Sequence, residues 1–202
     1  MPQSEANISQ VNELLYQALE TERGGIKVYE RAVRCAQDED LKKEFQHYLK
    51  QTRRHEQVLT AVFAEFGLDT ETQTPGRQIV AHQGQALAQA IDMAQESGDP
   101  VGMELVACEC VVLAETKDHS NWELIGQVAK QHTGPEAKVL LAAYQEVESE
   151  EDHHLYHSKG WCRELWLQSL GLPAVLPPPE EVKHVETAIG AAHAEQSREE
   201  MM

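Results

Sequence analysis

Basic residues are scarce in this chain: 17 Lys and Arg face 34 Asp and Glu over 202 residues, a formal net charge of -17 at pH 7. No Lys/Arg cluster is present to neutralise phosphates, which excludes nucleic acid and anionic membrane surfaces as partners and points to a protein that attracts cations. No apolar run approaches the length needed to span a bilayer. The N-terminal stretch MPQSEANISQVNELLYQALE lacks the basic start and continuous apolar segment of a secretory signal, so a cytoplasmic location is expected. Four cysteines, Cys35, Cys108, Cys110 and Cys162, are too few and too scattered for a disulfide framework. Cys108 and Cys110 stand about 200° apart on a helix and cannot chelate one ion together, so all four read as buried or surface thiols. No Walker loop, dinucleotide fingerprint or Gly-x-Ser-x-Gly elbow occurs. His55-Glu56-Gln57-Val58-Leu59 begins like a zinc-protease helix, but Leu59 stands where the second His is required.

Aromatic residues make up only 5% of the chain, and its bulk is Ala, Glu, Gln, Leu and Lys, which favours helices over strands. Apolar residues recur with helical period in four long segments. The first runs from about Ser4 to Gln37 and the second from the Asp38 to Asp40 turn to about Phe66, so these two form a hairpin. A shorter amphipathic segment, Arg77 to Glu96, reads as a crossover. The third long helix starts at Pro100 behind an Asp cap and ends near Thr133-Gly134-Pro135, and the fourth runs on to about Leu170. The expected fold is all-α: an antiparallel four-helix bundle over residues 1-172, with an extra helix in a long crossover. Residues 173-202 form a Pro-rich C-terminal extension in which Glu180 to Ala194 could make one short helix and SREEMM is expected to be disordered.

Charged residues interrupt the apolar stripes at particular places. In the first, Ile8, Val11, Leu14/Leu15 and Ala18/Leu19 lead to Glu22 and continue through Ile26, Tyr29 and Val33, so Glu22 holds a core position by period. His55 sits in the stripe of the second helix, Glu115 in the third, and Glu151 with His154 in the fourth. A lone buried carboxylate costs several kcal/mol. Four helices aiming Glu and His at one core level remove that penalty when they share metal ions. Residues equidistant from a hairpin turn lie at one height. The midpoint of Glu22 and His55 falls between Asp38 and Glu39, and that of Glu115 and His154 between Gly134 and Pro135, both inside expected turns. Glu151 and His154, three apart, share a helix face. Glu150 is the rival to Glu151, and Asp118 and His157 are possible additional ligands. His153, with polar neighbours by period, reads as a surface residue. Tyr29 and Trp122 read as core.

This order and register resemble the ferritin-like superfamily, whose bacterioferritin and rubrerythrin members place Glu, Glu-x-x-His, Glu and Glu-x-x-His on four successive helices. The likeness covers about residues 8-170 and is nearest to stand-alone bacterial ferritin-like proteins of unassigned activity, some associated with stress responses. It implies a di-iron or di-manganese site at Glu22, His55, Glu115, Glu151 and His154 and reaction with oxygen or peroxide. A homodimer is expected separately, because long bundles with a free face commonly pair. The chain departs from the pattern on the second helix, where Thr52-Arg53-Arg54-His55 replaces Glu-x-x-His. A carboxylate ligand is therefore missing, and the site would recruit Glu150, Asp118 or His157 in its place if two ions are held. The alternatives are a bundle without metal that serves as a stress-associated interaction module, and a zinc site built on His154, His157 and acidic neighbours.

Overall fold

The computed structural model describes residues 6-202, and all regular structure among them is helical: α1 (Ile8–Cys35), α2 (Glu39–Phe66), α3 (Pro75–Ser97), α4 (Pro100–Gln131), α5 (Glu136–Ser169), α6 (Pro179–Val182), α7 (Ala188–Gln196) and α8 (Arg198–Met201). The expected start of the first helix near Ser4 lies outside the described residues, and α1 opens at Ile8. Local chemistry explains most boundaries. The Asp38 carboxylate accepts hydrogen bonds from the amides of Asp40 and Leu41 at 2.8 and 3.1 Å, a cap that contributes about 1 kcal/mol. Gly67 ends α2 and Gly98 ends α3, each at positive φ (65° and 72°), a conformation that costs glycine little. Asp99 then caps α4, whose first residue is Pro100, as its fixed φ favours.

Hydrogen bonds and ion pairs across helices give the topology. Gln37 meets Glu104, Glu22 meets Trp122, and Ala6 meets His132, so α1 and α4 are antiparallel. Gln51 with His154 and Arg54 with Glu146 make α2 and α5 antiparallel too. α1, α2, α5 and α4 thus close a four-helix ring. α2 and α4 run in the same direction, and α3 carries the chain back between them along the outer groove of α1 and α4. Glu20 with Arg77 and Arg31 with Asp92 fix its register. Its backbone comes so close to α1 that a Cβ on Gly84 would stand 3.1 Å from the Gly24 Cα. The hairpin between α1 and α2 is tied down from α4, where the buried Glu104 accepts from the amides of Gln37 and Asp38 at 2.6 and 2.8 Å. Arg77, 1% exposed, holds the loop before α3 through the Thr70 and Thr72 carbonyls.

The Pro-rich tail is seated on the bundle. Glu164 on α5, fully buried, takes both Arg163 and Arg198 and accepts from the Val175 amide. Arg163 in turn forks onto Glu180 at 2.8 and 2.9 Å. The expected single helix from Glu180 to Ala194 is two, α6 and α7, and Arg198–Met201, expected to be disordered, forms the helical turn α8. Buried ion pairs with this many partners overcome the desolvation that would otherwise keep such groups in water. No helix among the described residues is long and apolar enough to cross a membrane.

Candidate metal centre

The bundle interior is divided into two apolar clusters. One holds Val28, Tyr29, Phe45, Val111 and Trp161; the other holds Leu15, Leu19, Leu59, Trp122 and Val147. Between them lies a polar layer formed by Glu22 of α1, His55 of α2, Glu115 and Asp118 of α4, and Glu151 and His154 of α5, all 0 to 3% exposed. The five residues expected from register are thus brought to one level from four helices, and Asp118 joins them one helical turn from Glu115.

Within the layer, Glu151 is central. Its Oε1 lies 2.8 Å from Nδ1 of His55 and 3.8 Å from Nδ1 of His154, and Glu115 Oε2 lies 3.5 Å from the same His154 nitrogen. On the other side, Glu22, Asp118 and Glu151 each offer a carboxylate oxygen within 4.8 Å of the others. None of Glu22 Oε2, Glu115 Oε2, Asp118 Oδ1, His55 Nδ1, His154 Nδ1 or either Glu151 oxygen makes a hydrogen bond, although all are buried. The short His55 to Glu151 separation lacks the alignment of one. Neighbouring donors on an ion bound at about 2.0 to 2.2 Å lie roughly 3 to 3.5 Å apart; the Glu115 to His154 spacing falls in that range, and the two Glu151 contacts stand a few tenths of an ångström to either side of it. Buried polar atoms without partners cost about 1 to 3 kcal/mol each, so a convergent set of them fits divalent ions far better than it fits a purely structural interior. Two three-residue groups, His55/Glu151/His154 and Glu22/Asp118/Glu151, share Glu151 and could hold two ions with that carboxylate between them.

The outer nitrogens of both imidazoles are engaged. His55 Nε2 meets Glu150 Oε2 at 2.8 Å, and His154 Nε2 meets Gln51 Oε1 at 2.9 Å. Donation from these nitrogens leaves each Nδ1 with its lone pair facing the carboxylates, the tautomer a metal needs. Glu150 is therefore placed at the rim, not among the central oxygens. Burial alone would raise its carboxyl, but hydrogen bonds from His55 and Gln51 and the charge of Arg54 bring it down to about 2. Inside the layer the balance is opposite. Desolvation, followed by repulsion from Asp118 and Glu151, pushes Glu22 well above the usual carboxylate range. Burial and then neighbouring carboxylates do the same to Asp118 and Glu151.

Thr52 occupies the position of the missing second-helix carboxylate. Its hydroxyl donates to the Tyr48 carbonyl at 2.9 Å, and its methyl faces Gly25 of α1. A close approach of α1 and α2 fills that place, and Asp118 brings the carboxylate from α4 instead. Trp122 donates to Glu22 at 2.9 Å, while Tyr29 and Tyr48 pack edge-on or tilted against the His154 ring.

His157 does not join the layer. Its Nδ1 contacts Glu181 at 2.8 Å and its Nε2 donates to the Val185 carbonyl at 2.9 Å, so it clasps the tail. His153, expected at the surface, is half-buried and stacked on His157 with ring centres 3.5 Å apart. His154 and His157 serve different clusters, and the zinc arrangement that paired them is not formed. The cysteines are free, with Cys35, Cys108 and Cys110 buried. The Gln51 contact could not be read in advance, because nothing in the sequence ranks one outward polar neighbour above another. The share taken by Asp118 was signalled by its three-residue spacing from Glu115.

No curated protein and no solved structure matches the chain. A protein family described as "Domain of unknown function (DUF892)" matches residues 12–109, just under half of the chain, a span that includes Glu22 and His55 but stops before Glu115, Asp118, Glu151 and His154.

Proposed function

We propose that this is a ferritin-like carboxylate protein that holds two iron or manganese ions and reacts with oxygen or peroxide, in the cytoplasm, in a protective role under stress. The observation that carries this reading is the set of unpartnered, buried oxygen and nitrogen atoms converging on Glu151 from four helices. Carboxylates and imidazoles suit these two metals, and when bound the ions supply the electron exchange with oxygen or peroxide. Glu151 would bridge, with His55, His154 and Glu115 on one side and Glu22 and Asp118 on the other. Glu150 and Gln51 orient the imidazoles. Trp122, by donating to Glu22, would hold that carboxylate in place. In this assignment residues 1-172 carry the site and residues 173-202 close over part of its surface.

Metal analysis of protein purified without chelators tests the proposal. About two irons or manganese ions per chain support it. None, even after anaerobic reconstitution with either metal, would leave a bundle that has kept the shape of a metal protein and works by interaction.

A further inference from the structure

A cleft of about 230 Å³ opens on the α4 and α5 face and reaches Glu151. Helical spacing builds its two walls. Glu148 and Asp152 stand one turn apart on α5, opposite His119 and Glu123 one turn apart on α4. The third side is the tail, at Thr187 and Ala188, where α7 begins. The floor is the most telling part: Glu151 is 1% exposed, lines the cleft, and has both carboxylate oxygens without a hydrogen-bond partner. Three further acids surround the approach, and the side chain of Glu123 is 66% exposed at the outer rim. Asp152 is held by His119 at 2.6 Å and Glu148 by the Tyr144 hydroxyl, so these oxygens are fixed in place before any ion arrives.

We propose that this cleft is the path by which a hydrated divalent cation reaches Glu151, with Glu123, Glu148 and Asp152 drawing it inward and the first residues of α7 forming a wall that limits its width. The inference rests on the di-metal reading of the polar layer and adds the direction of loading to it. A volume near 230 Å³ accommodates an ion with several waters at about 30 Å³ each. Carboxylates lining a low-dielectric cleft raise the local cation concentration and accelerate capture by roughly tenfold to a thousandfold, an effect that salt screens. The tail's part is mechanical. His157 donates to the Val185 carbonyl and Arg163 forks onto Glu180, which fixes the segment just before Thr187.

The test is uptake of cobalt(II) by the full-length, chelator-treated protein, followed by stopped-flow absorbance, with final stoichiometry measured separately. In the double variant Glu123→Gln/Glu148→Gln, both changes lie on the exposed rim, and uptake is expected to slow about tenfold at low ionic strength. The final stoichiometry should stay unchanged and the difference should shrink in 0.5 M salt, where the Debye length falls to about 4 Å from about 30 Å in dilute buffer. Ala188→Phe, which narrows the cleft without altering charge, should slow uptake at both ionic strengths. Wild-type uptake rates in both variants, with wild-type stoichiometry, would overturn the path while leaving the metal site standing. Reduced stoichiometry at an unchanged rate would also overturn it, since the rim acids would then be binding residues and not guides. Failure of the wild-type protein to bind cobalt at all would sink the di-metal reading and the path with it.

Discussion

Glu151 Oε1 stands 2.8 Å from His55 Nδ1, fully buried, with neither atom in a hydrogen bond. An uncharged amide at position 151 fills the same space but cannot bridge two cations. Glu151→Gln is therefore expected to fold as well as the parent when metal-free, because burial already disfavours the Glu151 anion. Its metal affinity should fall by about a hundredfold or more at both positions, since one shared carboxylate serves both. Isothermal titration with manganese(II) reads this directly, and an unchanged isotherm would remove Glu151 from the centre.

The buried acids also set a pH dependence. Glu22, Asp118 and Glu151 have folded-state pKa values raised by burial, whereas in the unfolded chain they return to the ordinary carboxylate value of about 4. Between those limits the folded protein binds more protons than the unfolded one. The stability this represents is complete below the ordinary value and is lost as pH rises through the raised ones. The metal-free protein should accordingly show a lower urea midpoint at pH 8 than at pH 5. General repulsion in so acidic a chain acts in the same direction, so Glu22→Gln is the control: it should flatten part of the slope, which surface repulsion would not permit. With metal bound the order reverses, because ions compete with protons for the same oxygens and hold best at the higher pH.

The register of the site was legible in the sequence because helical period and hairpin midpoints are local quantities. Glu22, His55, Glu115 and His154 each break an apolar stripe at a height set by counting from Asp38 or Gly134, and the structure brings all four to one layer with Glu151. What stayed hidden depends on which helices become neighbours. The contact of His154 with Gln51, of His55 with Glu150, and the filling of the Thr52 position by close approach to Gly25 follow from the α1, α2 and α5 geometry and leave no periodic trace. The seating of the tail leaves no local trace for a similar reason. Pro177 to Pro179 do read as stiff and extended, but the buried Glu180 and Glu164 gain half-buried arginine partners from residues far along the chain.

In the proposed site Asp118 would take the role left open by Thr52, and this would separate the two ions experimentally. Asp118→Asn removes one oxygen anion from the Glu22/Asp118/Glu151 group and leaves His55, Glu151 and His154 untouched. The expected result is one tightly held ion in place of two, with the second weakened about tenfold to a hundredfold. Titration monitored by manganese EPR would resolve the two classes. Equal weakening of both ions would argue against separate groups.

The outer crossover supplies a prediction independent of metal. Gly84 on α3 faces Gly24 on α1, and a Cβ at position 84 would meet the Gly24 Cα at 3.1 Å. Alanine is the better helix former by about 1 kcal/mol, so an exposed Gly84 would gain stability from Gly84→Ala. Here the opposing atom is backbone, and relief requires moving α3 away from α1, with loss of contact along the groove. Overpacking of this kind costs roughly 1 to 3 kcal/mol, which outweighs the propensity gain. The melting temperature should fall by about 2 to 4 °C per kcal/mol of net loss in a chain of this size. The double variant Gly24→Ala/Gly84→Ala, with two methyl groups face to face, should fall further than the sum of the singles. A rise in melting temperature for Gly84→Ala would mean that α3 is free to shift, and that the register set by Arg31 with Asp92 and by Arg77 with Glu20 does not hold it in place.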